Sequence, residues 1–74
     1  MQETIELLND IFESEVSVND IDKEVHEVLL WDSFHIMDFL VEMEERFEKR
    51  IKIEDVSEIY RIRDLIQLIE KQMR

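Results

Sequence analysis

The chain contains no glycine and no proline, so the punctuation that normally separates one element from the next is missing. Boundaries must be read from capping residues and hydrophobic periodicity instead. Cysteine is also absent, and the two histidines stand among dispersed acids without the spacing of a zinc motif. A single domain of 74 residues buries only about 60% of the surface its unfolded chain exposes. With neither disulfide nor metal as a staple, helix packing has to supply the stability.

Periodicity gives the elements. Ile5, Leu8, Ile11 and Phe12, with Leu7 beside them, recur at helical intervals and predict a first helix from about Glu3 to Glu15. Between Val16 and Trp31 the period is lost, and Ser17, Asn19 and Asp20 favour turns. This stretch reads as a long ordered loop, pinned to the helices by Val16, Val18, Ile21, Val25, Val28 and Leu29, with room for a short helical turn around Lys23 to Val28. The second helix, Ser33 to about Lys49, has the strongest pattern, with Ile36, Leu40, Met43 and Phe47 as its core stripe. A brief third helix around Glu54 to Glu58 and a fourth from about Ile62 to Gln72, carrying Leu65, Ile66, Leu68 and Ile69, complete an all-α four-helix bundle.

The formal net charge is −11, from 20 acids against 9 bases. Such a surface repels phosphate backbones and anionic lipid, which argues against nucleic acid as a partner. Its natural complement is a basic protein patch, met through a steered and transient encounter. No apolar run approaches the roughly 20 residues of a membrane span. The acidic start "MQETIELLND" is unlike a secretory signal, and a cytoplasmic monomer is the expectation.

Placed on a wheel at about 100° per residue, the second helix has another apolar strip, Phe34, Met37 and Val41, beside its core stripe. Asp38, Glu42, Glu45 and Glu48 flank that strip, which gives it the form of a protein docking surface, although packing against the loop or another helix would explain it as well. Asp32 and Ser33 stand at the start of the helix, where either can serve as N-cap. Ser33 can also serve as a covalent attachment point, because free amides and the helix dipole favour an anion there. As a hydrolase nucleophile it lacks a base, since His35 points to a different face, and it lacks the tight glycine turn that presents an oxyanion hole. The chain is not expected to be an enzyme.

The segments "DSFHIMDFLVEMEERFEKRI" and "KIEDVSEIYRIRDLIQLIEK" resemble the acyl carrier protein family. The family pattern is an Asp-Ser-Leu attachment site, a helix of acids and aliphatics ending in Phe-x-x-x-Ile, a short third helix and a fourth. It can be laid without a gap from Asp32 to the C-terminus, over half the chain. The resemblance implies an acyl-carrier-like fold with a long loop between its first two helices, and 4′-phosphopantetheine on Ser33, next to Asp32. A separate phosphopantetheinyl transferase would add the group from coenzyme A with magnesium. The thiol of that arm would carry acyl or aminoacyl groups as thioesters in fatty acid, polyketide or nonribosomal peptide biosynthesis, supplying the sulfur that the chain lacks. By position, Asp32, Asp38, Glu44 and Glu45 match acids with which the family docks on basic patches of loading ligases, acyltransferases and synthases, and Phe34, Met37 and Val41 match its apolar contacts.

The sequence departs from that pattern at Phe34, where leucine is usual, and at Leu30-Trp31, where Gly-Ala or Gly-Leu is frequent. His35 replaces an acid, and Lys52 stands where proline is common. Trp-Asp-Ser is similar to a form in stand-alone carriers loaded by adenylating ligases, while Trp31 itself reads as a packing residue that anchors the loop. The alternative is an unmodified helical interaction module, in which Ser33 only caps a helix and the acidic face binds a basic partner. In either case like-charge repulsion dominates the surface. Adding salt should raise the urea midpoint, because screening weakens interactions beyond about 8–10 Å; a falling midpoint would mean that specific ion pairs prevail.

Overall fold

The computed structural model describes residues 1–73. Helix α1 spans Gln2–Phe12, a single 3₁₀ turn follows at Val18–Asp20, and then come α2 (Val25–Val28), α3 (Ser33–Phe47), α4 (Ile53–Ser57) and α5 (Ile62–Met73). There is no strand among the described residues, and the fold is a small all-α bundle. The expected second helix is α3. Among the described residues there are five α-helices rather than four, because the short turn allowed within the loop is a true helix, α2.

Helix α1 lies between α3 and α5, and α2 rests on α5. The shared core contains Ile5 and Leu8 of α1, Phe39 and Met43 of α3, and Ile62, Leu65, Ile66 and Ile69 of α5, closed by Val16, Val25, Leu29, Ile51 and Val56 from shorter segments. Burying each such side chain contributes about 1.5–3 kcal/mol. Among the described residues Thr4 is the one buried polar residue; its Oγ1 donates to Glu70 Oε2 at 3.3 Å, joining α1 to α5.

On α3 the buried line is turned from the stripe the sequence suggested. Met43 is buried as expected, but Ile36, Leu40 and Phe47 are only half-buried and the deepest residue is Phe39. The cause is the neighbour: α3 packs chiefly on α1, and Phe39 stacks on Phe12 with ring centroids 5.5 Å apart. Phe12 also meets Trp31 at 6.0 Å, so the half-buried tryptophan anchors the end of the loop.

The loop is ordered by polar contacts as well as by its apolar residues. The Asn9 side chain accepts from Val16 N at 2.8 Å and donates to Val16 O at 2.9 Å, which seats Val16 in the core. Asp20 accepts from Ser17 N in a capping box around the 3₁₀ turn. Further on, Val25 N donates to Tyr60 O (2.9 Å), Ile62 N to Lys23 O (3.0 Å) and Arg63 N to Ile21 O (2.7 Å), so the loop is stitched to the start of α5. Val16, Val25 and Leu29 are buried, and Ile21 and Val28 are half-buried; Val18 is half-exposed and does not pin the loop.

Without glycine, two helices stop on an unusual backbone. Glu13 after α1 (φ 53°) and Glu48 after α3 (φ 54°) are left-handed, and Glu48 N donates to Glu44 O at 2.8 Å. That conformation costs a non-glycine residue roughly 1–2 kcal/mol, and a carboxylate at a helix C-terminus also opposes the helix dipole. Replacing Glu48 by glycine should therefore stabilise the fold by about 1 kcal/mol, read as a higher urea midpoint with unchanged slope. A lower midpoint would show that the Glu48 side chain has a compensating role.

Candidate functional site

The start of α3 is organised by Asp32. Its backbone is extended (φ −125°, ψ 174°), and its Oδ1 accepts from His35 N at 2.8 Å, so Asp32 is the N-cap and Ser33 is the first helical residue. The same oxygen lies 2.7 Å from His35 Nδ1, and the imidazole meets the Phe34 ring edge-on at 5.5 Å. Hydrogen bonds from the His35 backbone amide, and then from its ring, hold the Asp32 carboxyl below the usual carboxylate range.

Of the two possible caps, the structure thus uses Asp32. The Ser33 hydroxyl is exposed and has no hydrogen-bond partner among the described residues. The expectation of free amides around Ser33 is also amended, because the His35 amide is already engaged by Asp32. The Ser33 hydroxyl, exposed at the helix start, is nevertheless accessible to esterification.

Below Ser33, the outer face of α3 presents Phe34 (75% exposed), Met37 (54%) and Val41 (50%). Asp38, Glu44 and Glu45 are exposed on the same side of the helix, so these three acids and the apolar strip share one face. Two of the flanking acids fall elsewhere. Glu42 is half-buried toward α1 and accepts from Arg46 Nε at 3.1 Å, and Glu48 lies past the helix end in its left-handed turn. Arg46 is the only lysine or arginine on α3, and it is turned away to bridge Glu42 and Asp10 of α1, the latter at 2.6 Å.

The sequence reading missed a cleft of about 480 Å³ between the end of α1 and the flank of α3, lined among others by Glu13, Leu30, Phe34, His35, Asp38 and Arg46. Leu30, 69% exposed, is its loop-borne wall. A helical wheel cannot place a loop residue beside a helix, although three successive apolar residues, Val28 to Leu30, signalled that one of them would face outward.

Among the described residues no group of three or more His, Cys, Asp or Glu could hold a metal ion, and no helix is long and apolar enough to cross a membrane. Compared with known proteins, the chain matches no family model, no curated protein and no solved structure.

The cap assignment is open to direct test. Asp32→Ala should lower the urea midpoint, whereas Ser33→Ala should change stability by no more than about 0.5 kcal/mol, as surface substitutions do. The pH dependence follows from the lowered Asp32 carboxyl: its contribution is complete above the ordinary carboxylate range and is lost as pH falls through the lower folded-state value. Asp32→Asn should flatten the acid limb of stability relative to the parent chain; identical limbs would remove Asp32 from that role.

Proposed function

We propose that the chain is a carrier of acyl or aminoacyl groups, held as thioesters on a 4′-phosphopantetheine arm esterified to the Ser33 hydroxyl, and presented to partner enzymes by the outer face of α3. The observation that supports this reading is that the Ser33 hydroxyl is exposed and has no hydrogen-bond partner within the described residues, at the head of a helix face with three exposed apolar side chains and a rim of acids. The resemblance of Asp32-Ser33-Phe34 and the residues after it to the acyl carrier pattern supplies the chemistry.

In this reading Asp32 fixes the helix start, so that Ser33 is offered in one orientation to the transferase. The arm brings the thiol that forms the thioester. Phe34, Met37 and Val41 contribute the apolar part of docking, while Asp38, Glu44 and Glu45 orient a basic partner. Exposed charge pairs contribute only about 0–1 kcal/mol each, which suits a carrier that must leave one enzyme to reach the next. The chain performs no catalysis itself, and a cytoplasmic setting would supply its coenzyme A.

The unmodified interaction module uses the same outer face but gives Ser33 no part in it. Intact mass separates the two readings. After incubation with coenzyme A, magnesium and a phosphopantetheinyl transferase, the chain should gain about 340 Da, the mass of one phosphopantetheine ester, and Ser33→Ala should gain nothing. No gain with either a promiscuous transferase or the host's own would overturn the carrier reading.

A further inference from the structure

The two most exposed large apolar side chains of the protein, Phe34 (75%) and Leu30 (69%), both stand at the cleft between α1 and α3. Its walls carry four carboxylates, Asp10, Glu13, Asp38 and Glu42, against the one guanidinium of Arg46. Arg46 is committed to one part of the cleft, where it binds Asp10 and Glu42. The side-chain carboxylates of Glu13, on the left-handed turn that ends α1, and Asp38, on α3, have no ion-pair or hydrogen-bond partner among the described residues. The cleft therefore combines an apolar lip with two uncompensated negative charges contributed by different helices.

We propose that this cleft is a socket for one cationic side chain of a protein partner, an arginine or lysine whose charged head lies between Glu13 and Asp38 and whose aliphatic stem, with an adjoining apolar residue, covers Leu30 and Phe34. The chemistry is that of a long basic side chain, apolar along its stem and charged at its tip. The volume of about 480 Å³ accommodates such a group. Because Phe34 and Asp38 belong both to the cleft and to the outer face of α3, the socket extends the docking surface onto α1 and adds a second helix to partner selection. The inference rests on the reading of α3 as a docking face, and not on modification of Ser33.

The test uses nitrogen-labelled full-length chain followed by NMR during titration with acetyl-Arg-Leu-amide, with acetyl-Glu-Leu-amide as the charge-reversed control. Saturable shifts of the Glu13, Leu30, Phe34 and Asp38 amides are expected with the arginine probe only. The double variant Glu13→Gln, Asp38→Asn should weaken that binding about fivefold, as the loss of two exposed charge contacts implies. Glu58→Gln, at a separate acidic cleft beside α4 and α5, should leave it unchanged. Equal binding of both probes, shifts spread over Asp55 and Glu58 as strongly as over the cleft, no saturation at millimolar probe, or an unaltered affinity in the double variant would each overturn the socket. Since the titration needs no modified serine, its failure is distinguishable from failure of the mass assay.

Discussion

Three backbone hydrogen bonds, from Val25 to Tyr60, from Ile62 to Lys23 and from Arg63 to Ile21, support most of what lies around them. A stretch as long as residues 16–31 carries many amides and carbonyls that must find partners once its apolar side chains are drawn inward. Tyr60 and the first two residues of α5 supply three of those partners, and Arg63 adds an ion pair to Asp22 at 3.0 Å. With the loop held there, Val25 and Leu29 enter the core and Trp31 reaches Phe12. The position of Trp31 in turn sets where Asp32 can cap and α3 can begin.

The distribution of charge follows from the same seams. Arg46 joins α3 to α1, Arg63 ties α5 to the loop, Lys23 pairs with Asp20 inside the loop at 2.8 Å, and Arg61 lies 5.0 Å over the Tyr60 ring. Arg46 and Arg63 thus act where elements meet. The outer face of α3 is left with acids and three apolar side chains and no basic residue, so a strongly negative chain projects an uninterrupted field from the helix that begins with Ser33.

Much of this was legible in the sequence, because helical periodicity is a local property. The span of α3, the short α4 and the long α5 are close to what the sequence indicates, and the strip of Phe34, Met37 and Val41, which spacing left open between docking and packing, is exposed. The misses depend on neighbours. Phe39 is buried rather than Ile36, Leu40 or Phe47 because Phe12 lies opposite it, and no wheel contains the helix across the interface. Asp32 displaces Ser33 as cap through the geometry of one amide and one carboxylate, where either residue type would have served. Thr4 is buried because Glu70 can accept its hydroxyl from the far end of the chain. Leu30 and the cleft exist only once α1 and α3 are side by side.

The aromatic contact between Trp31, Phe12 and Phe39 has a practical consequence, since Trp31 is the only tryptophan in the chain. Its indole sits at the joint where the loop, α1 and α3 meet, directly before Asp32 and Ser33. Intrinsic fluorescence therefore reports the seating of α3 without an added label, while far-ultraviolet circular dichroism reports all the helices together. If the emission changes before the ellipticity does, the helix carrying Ser33 loosens while α1 and α5 remain packed, and the molecule has a movable part on a fixed one.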